Sequence, residues 1–320
     1  MMADTKHWSK LAERGSSIGI KSLVVSYRLL GKYVAKKLLY PVVVYFYMTG
    51  KEARTASLDY LKRIYAFSNC ATPSPTRRAS FNHMFAFAQS GLDKFNAWLD
   101  DTQQTKMSFP NQEMLDNVIA SGQGALIIGS HLGNLEMMRA LASNRQIVIN
   151  AVVYTEHAQQ FNQILAQSNI QFEVNLIQVS HFGADTAIMF RDKIDRGELI
   201  VIVGDRTPPA ENGRVSEVEF LGDTAAFAQG PFILASLLEC PVFLLFCLPE
   251  GRAYHIYLEH FADKIILPRA VRQEKLCEYM QQYARRLEVY CLKAPFQWFN
   301  FYDFWQKVPT SNNSINKSSK

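Results

Sequence analysis

Residues 125–136 of this 320-residue chain read ALIIGSHLGNLE, and the fold class follows from this stretch. It begins with five apolar or small residues, Ala125–Gly129, a length and composition typical of a fully buried strand. A turn with His131 and Gly133 follows, and Glu136 then lies in the first part of a predicted helix. The stretch therefore predicts a strand, a polar turn and a helix in succession.

The alternation of short apolar runs with amphipathic stretches continues towards the C-terminus. Further strands are predicted at Ile147–Val153, Val174–Val179, Leu199–Val203 and Pro241–Cys247. Helices are predicted at residues 133–143, 156–169, 183–196, 227–238 and 271–292. This pattern is typical of an α/β fold with a mostly parallel central sheet flanked by helices. In such sheets the site lies beyond the carboxyl ends of the strands, so the polar residues that follow each strand are the first candidates.

The positive charge of the chain is concentrated near its start. Residues 1–80 contain 14 Lys and Arg against 4 Asp and Glu, a net charge of +10, whereas residues 81–320 contain 20 against 25, a net charge of −5. Residues 18–37 alternate apolar and basic positions at helical spacing, which predicts an amphipathic helix at a membrane interface. An ordinary surface helix has the same pattern. We favour the membrane interface, since several tyrosines follow and tyrosine is enriched there.

The apolar run Leu38–Met48 is too short to cross a bilayer. It has eleven residues and contains Pro41, whereas a spanning helix needs roughly twenty apolar residues. Two more helices are predicted downstream, at residues 51–70 and 75–99. The predicted units are an N-terminal helical, membrane-interface region at residues 1–100, an α/β domain at residues 101–308 and a disordered tail at residues 309–320.

The composition excludes several classes of protein. Hydrophobic residues make up 48% of the chain, which is enough for a sizeable core and excludes a disordered or collagen-like chain. The five cysteines are odd in number and contain no C-x-x-C pair, so neither a disulfide framework nor a metal site is expected. We expect no cleaved signal peptide. No nucleic-acid-binding motif accompanies the basic residues, so we expect no nucleic-acid partner.

His131 and Glu136 form a candidate acid–base pair. The spacing across one turn brings the carboxylate back towards the imidazole. A carboxylate on one ring nitrogen fixes the tautomer and leaves the other nitrogen as a base, which suits removal of a proton from a hydroxyl of a bound substrate. A turn histidine that only caps a helix would show the same two residues.

Asp205 and Arg206 follow the predicted strand Leu199–Val203 and lie at the same edge of the sheet. Arg206 is a candidate for binding an anionic group, and Asp205 for orienting a polar partner. The alternative is a buried Asp–Arg pair that holds the loop. Gly230-Pro231 opens a predicted apolar helix whose backbone N–H groups are candidates for binding an oxyanion, although the pair also fits a simple turn.

Residues 295–305 read PFQWFNFYDFW and are dense in aromatic side chains. Such side chains pack well in a protein core. They also suit an apolar groove for an acyl chain, and both interpretations stay open.

Taken together, these residues resemble the lysophospholipid acyltransferase superfamily. The branch that they resemble is that of the bacterial lipid A biosynthesis acyltransferases and related glycolipid- or polyene-acylating proteins. The resemblance covers most of the chain and rests on the His-x4-acid motif of residues 131–136 and on four further motifs in order. These are residues 7–16, Gly204–Pro208 (GDRTP), Phe220–Gly222 (FLG) with Gly230-Pro231, and Pro295–Trp298 (PFQW).

The resemblance implies an O-acyltransferase that moves a fatty acyl group from an acyl carrier protein or coenzyme A thioester to a hydroxyl of a lipid or glycolipid. The implied catalytic residues are His131 as general base, Glu136 as its orienting partner and Asp205 as a further acidic residue. Substrate binding is assigned to Asn134, Arg206 and Gly230. No metal or redox cofactor is needed. The expected location is the cytoplasmic face of the inner membrane, peripheral or monotopic, with the basic N-terminal third as the docking surface for the carrier protein.

Two features depart from the family pattern. The family often has an arginine soon after the second strand of this region, where this chain has Tyr154-Thr155-Glu156-His157. The F-P-E-G motif of the glycerophosphate branch is missing, which disfavours a simple glycerophosphate acceptor. The first departure leaves open a lipid-binding protein with an inactive site, and the same His131–Glu136 pair would also serve a thioesterase-like hydrolase that uses water as the acceptor.

Overall fold

The computed structural model describes residues 34–99, 106–135, 147–153, 174–179, 184–207, 214–251 and 253–306. Within these residues the predicted α/β fold, with a mostly parallel central sheet flanked by helices, is confirmed. Most of the predicted amphipathic helix at residues 18–37 lies outside the described residues, as do the predicted helix at residues 156–169 and the tail at residues 309–320. The division into three units stays a prediction.

The described residues form helices and strands with the following bounds. The helices are α1 (residues 34–49), α2 (Lys51–Phe67), α3 (Arg77–Leu99), α4 (Gln112–Ala120), α5 (Ala184–Asp195), α6 (Gly230–Leu238) and α7 (Arg272–Lys293). The strands are β1 (Lys106–Ser108), β2 (Ala125–Gly129), β3 (Ile149–Val153), β4 (Val174–Gln178), β5 (Leu199–Val203), β6 (Val215–Phe220), β7 (Asp223–Ala228), β8 (Val242–Glu250) and β9 (Ala253–Ala262).

The main sheet has seven strands in the order β1-β9-β8-β2-β5-β3-β4. Strand β2 lies in the middle and pairs in parallel with β5 on one side and β8 on the other. Strand β9 runs antiparallel to β8, and the short β1 is parallel to β9. Every residue of β2 is buried, because side chains on the two faces of the sheet enter two separate hydrophobic cores. The polar turn after β2 therefore starts from a strand that is buried throughout.

Strands β6 and β7 form a hairpin where the sequence predicts the start of a helix. The predicted helix at residues 227–238 begins only at Gly230, because residues 223–228 pair with residues 215–220 in antiparallel register. The turn consists of Leu221 and Gly222, with φ of 53° and 84°. Two consecutive residues with positive φ are typical of the tight turn that matches the twist of a hairpin.

The N-terminal helices pack on the same core as the sheet. Tyr60, Leu61 and Ile64 of α2 are buried in the core that also contains Leu126 and Ile128 of β2. Helix α3 lies beside α2. These two helices therefore border the region where β2 ends.

Candidate active site

His131 and Asp205 lie side by side at the carboxyl end of the central strands. Strands β2 and β5 pair with Gly129 opposite Val203, and each of the two residues lies two positions beyond this pair. The Gly204 N–H donates to the Gly129 carbonyl at 3.0 Å, which extends the strand pairing by one step. The register of two parallel strands thus brings together side chains that are 74 residues apart in the sequence.

The Asp205 carboxylate is fully buried and accepts four hydrogen bonds. Its Oδ1 accepts from Nδ1 of His131 at 2.8 Å. Its Oδ2 accepts from the backbone N–H of His131 at 2.9 Å, from the indole N–H of Trp298 at 2.9 Å and from the side-chain amide of Asn300 at 3.0 Å. A buried carboxylate is tolerated when donors surround it in this way.

The hydrogen bonds of Asp205 also define the tautomer of His131. Burial alone would raise the pKa of the Asp205 carboxyl, but attraction to His131, the hydrogen bonds from His131 and the charge of Arg206 outweigh it, so that the pKa is lowered. The carboxyl is therefore ionised at neutral pH and only accepts hydrogen bonds. The proton between the two groups belongs to Nδ1, so in the neutral ring the lone pair is on Nε2. The His131 side chain is 27% exposed, which leaves the ring within reach of a substrate.

The turn at residues 131–134 is held on both sides by backbone hydrogen bonds. The Gly133 N–H donates to the Gln297 carbonyl at 2.8 Å, and the Asn134 N–H donates to the Cys247 carbonyl at 2.9 Å. The turn is thereby inserted between strand β8 and the C-terminal segment. Its backbone, and with it the position of the imidazole, depends on a close approach to both neighbours.

Replacing Gly133 by alanine should destabilise the fold strongly. Gly133 has a φ of +72°, and a Cβ there would lie 1.9 Å from the Cys247 carbonyl oxygen. Backbone strain and forced displacement each cost about 1–3 kcal/mol, so we expect a loss of about 2–6 kcal/mol in the free energy of unfolding, measured in urea. Gly251 is the matched control, because it has a φ of +62° and, its chain neighbours apart, no atom of the described residues lies within 4 Å of the place that an added methyl group would take. Gly251→Ala should cost only about 1–2 kcal/mol; equal losses in the two variants would contradict the close approach.

Arg206 and Asn134 bind other parts of the protein. Nε of Arg206 donates to Oδ1 of Asn300 at 2.7 Å, and Nη2 donates to the Phe299 carbonyl at 3.1 Å. Asn134 is fully buried, and its amide donates to the carbonyl of Ser90 in α3 at 3.4 Å. These contacts tie Arg206 to the C-terminal segment and Asn134 to α3. The predicted substrate-binding roles of both residues stay predictions.

Gly230 and Glu136 are the remaining predicted site residues. Gly230 is the first residue of α6, with Pro231 in its first turn, so the Gly-Pro pair opens a helix that begins three residues after the predicted residue 227. Its role in binding an oxyanion stays a prediction. Glu136 lies outside the described residues, and its role as the partner of His131 also stays a prediction. The carboxylate that the structure describes on Nδ1 of His131 is that of Asp205.

Trp298 and Asn300 are site residues whose role the sequence did not predict. Both donate to Oδ2 of Asp205. Trp298 is fully buried, and Phe299 and Phe304 are also buried, so these members of the aromatic stretch belong to the core. The sequence contained one signal: Asn300 is an amide within an aromatic run, and a buried amide needs a polar partner.

The buried cysteines offer no nucleophile. Burial raises the pKa of the Cys240 thiol to about 11, and burial also raises the pKa values of Cys247 and Cys291. All three thiols are therefore protonated at neutral pH and unreactive as thiolates. In the part of the chain that the structure describes, no three His, Cys, Asp or Glu side chains come together as a set of metal ligands.

Comparison with known proteins gives one family match. The model of the family described as bacterial lipid A biosynthesis acyltransferase matches residues 1–307. This match includes the N-terminal helices, the whole described sheet and the C-terminal segment that contacts Asp205. No curated protein matches the chain.

Proposed function

The chain belongs to the bacterial lipid A biosynthesis acyltransferase family, and on this premise we propose that it transfers a fatty acyl group from a thioester to a hydroxyl of a lipid or glycolipid. The donor is an acyl carrier protein or coenzyme A thioester. The observation that carries the proposal is the His131–Asp205 pair, in which a partly exposed imidazole is bound through Nδ1 to a fully buried carboxylate at 2.8 Å. Such a pair suits general-base catalysis on an alcohol.

The reaction uses Nε2 of His131 as the base. As the acceptor hydroxyl attacks the thioester carbonyl, Nε2 takes its proton and a C–O bond forms. Asp205 stabilises the imidazolium and keeps the ring in place. When the tetrahedral intermediate collapses, the C–S bond breaks and the thiolate leaves, taking the proton from the imidazolium. The products are an ester and a free thiol.

The other predicted residues have supporting roles in this proposal. Glu136 is the acidic residue of the His-x4-acid motif and supports the base, and Asn134 helps to bind the substrate. Arg206 or the N-terminus of α6 at Gly230 stabilises the oxyanion, a contribution worth about 10²–10³-fold in rate. No step needs a metal or redox cofactor.

We also propose that α1 rests on the membrane that supplies the acceptor. Its buried face consists of Ala35, Leu39 and Val43. An adjacent face is apolar as well and is exposed to solvent, with exposed fractions from 39% at Val34 to 73% at Met48. The apolar side chains of this exposed face are Val34, Leu38, Val42, Tyr45 and Met48.

A helix with a second, solvent-facing apolar stripe suits the boundary between head groups and acyl chains. Lys36 and Lys37 are exposed on the same helix, where they would favour an anionic leaflet. The proposed location is the cytoplasmic face of the inner membrane. Among the described residues, no helix has both the length and the apolar character needed to cross a bilayer. The basic N-terminal third is the proposed docking surface for the acidic carrier protein.

The proposal is tested with the purified full-length chain on lipid vesicles. Acyl carrier protein and coenzyme A thioesters with a labelled acyl group are supplied with and without a lipid A precursor or another hydroxylated glycolipid. We expect thioester consumption that depends on the acceptor, and a new ester in the mass spectrum of the lipids. Release of free fatty acid at the same rate without an acceptor would instead identify a hydrolase. Binding of acyl lipid without thioester consumption would identify an inactive lipid-binding protein.

A further inference from the structure

Residues 297–300 connect the two halves of the His131–Asp205 pair. The Phe299 N–H donates to the His131 carbonyl at 2.8 Å. Trp298 and Asn300, on either side, reach the Asp205 carboxylate through their side chains. The same four residues therefore hold the turn that carries the imidazole and the carboxylate that orients it.

The Trp298 indole is the most constrained of these donors. It is fully buried, and its ring packs against the rings of Tyr60, Phe304 and Phe220 with centroid distances of 5.0, 4.7 and 5.2 Å. A rigid ring held on several sides can present its N–H in only one direction. That direction is Oδ2 of Asp205 at 2.9 Å.

A second histidine holds the backbone of Trp298. His83 of α3 is fully buried, and its Nε2 lies 2.8 Å from the Trp298 carbonyl oxygen. A carbonyl only accepts, so Nε2 carries the proton, and Nδ1 accepts from the Ser57 hydroxyl at 3.1 Å. Burial lowers the pKa of His83 to about 4, against a smaller opposite effect of its bond to Trp298, so the ring is neutral at physiological pH.

We propose that Trp298 is a positioning residue for the transfer reaction: its indole N–H fixes Oδ2 of Asp205 so that Oδ1 points at Nδ1 of His131, and His83 fixes Trp298 in turn. This inference rests on the proposed function. The connected groups run from Ser57 on α2 through His83, Trp298 and Asp205 to His131. The N-terminal helices thereby help to set the geometry of the base.

The physical reason is that the two oxygens of the Asp205 carboxylate accept different sets of hydrogen bonds. Three donors meet at Oδ2, and one meets at Oδ1. Loss of one donor at Oδ2 leaves the buried charge less well satisfied and weakens the restraint on the rotation of the carboxylate. The His131 ring then spends less time in the orientation that the base requires.

Trp298→Phe tests the proposal, with Trp305→Phe as the matched control. The Trp305 ring lies 5.9 Å from that of Trp298, but its N–H donates to the Phe220 carbonyl and not to Asp205. Both substitutions keep an aromatic ring and remove one indole N–H. We expect Trp298→Phe to lower kcat by about tenfold, the size of one lost hydrogen bond to a charged group, with KM changed by less than about twofold. Trp305→Phe should leave both values near those of the unsubstituted protein.

A spectroscopic measurement separates positioning from a general loss of packing. The proton of the Nδ1–H bond to Asp205 gives a low-field resonance in the NMR spectrum of the full-length, ¹⁵N-histidine-labelled protein. This resonance should shift or broaden in Trp298→Phe and stay unchanged in Trp305→Phe. The readout needs no substrate, so it tests the positioning even where transfer activity is not found. Equal effects of the two substitutions on kcat and on the resonance would overturn the proposal and leave the proposed function intact.

A pair of substitutions at His83 extends the test should Trp298→Phe fail to fold. His83→Leu removes the donor to the Trp298 carbonyl, whereas His83→Gln keeps an N–H group near the position of Nε2. We expect His83→Leu to lower kcat and displace the resonance, and His83→Gln to restore both at least in part. An unchanged resonance in His83→Leu would overturn the role of His83.

Discussion

Replacing His131 by alanine is expected to lower kcat by about 10²–10⁴-fold, the usual contribution of a general base. The substitution removes Nε2, the atom that takes the proton from the acceptor. The fold should be retained, because the backbone bond from residue 131 to Asp205 and the bonds from Trp298 and Asn300 do not involve the imidazole. Transfer is measured as ester formation on vesicles, and folding is measured by circular dichroism and urea unfolding.

His260→Ala is the matched control for this substitution. His260 also pairs with a carboxylate, that of Asp263 at 2.9 Å, but this pair is exposed at the end of β9. The His260→Ala variant should keep normal turnover.

Glu136→Ala, at the acidic position of the His-x4-acid motif, should lower transfer, as His131→Ala does. Near-normal turnover in both His131→Ala and Glu136→Ala would show that the proposed base and its motif do not carry the reaction.

Replacing Asp205 by asparagine is expected to lower kcat by about 10²–10⁴-fold, because it reverses the tautomer of the base. The side-chain volume changes little, so the loss does not come from packing. Three donors converge on Oδ2. The amide of Asn therefore turns its carbonyl oxygen to that side and its NH₂ group towards His131. Nδ1 then has to accept, and the ring proton moves to Nε2, where the base is needed.

Asp263→Asn is the matched control for Asp205→Asn, because Asp263 also accepts from a histidine, the exposed His260. It should leave transfer unchanged. The comparison with Glu136→Gln shows which carboxylate orients His131. A large loss in Asp205→Asn with a small loss in Glu136→Gln would assign that role to Asp205. Normal kcat in a folded Asp205→Asn variant would contradict the orienting role of Asp205.

The predicted strands agree best with the structure where the apolar run is continuous. Strands β2 and β5 match their predicted ranges, and β3 and β4 differ by two residues or fewer at their ends. Strands β2 and β5 are buried on both faces of the sheet, so their local sequence has few polar residues to obscure the pattern. The predicted helix at residues 271–292 likewise agrees with α7.

Strands β6 and β9, which alternate between buried and more exposed residues, are absent from the predicted set. Strand β9 reads AYHIYLEHFA, and its burial alternates with Tyr254, Ile256 and Leu258 inside. Strand β6 alternates in the same way, and the end of β7 overlaps the predicted start of a helix. A period of two is present in the sequence of β9 and β6. The pairing of β6 with β7 depends on the tight turn at Leu221 and Gly222, which a helical interpretation of residues 227–238 does not include.

Local sequence alone determined that a buried strand ends at Gly129, that another ends at Val203 and that each is followed by polar residues with acid–base chemistry. The spacing of apolar residues and the residue types of a turn are properties of residues adjacent in sequence, so they can be recognised without knowledge of the fold. Only the tertiary structure decided that β2 and β5 are neighbours in register, and hence that His131 meets Asp205 across 74 residues of sequence. The donors that complete the site, Trp298 and Asn300, come from still farther along the chain. Contacts of this kind arise from strand pairing and core packing between distant segments, which no local pattern specifies.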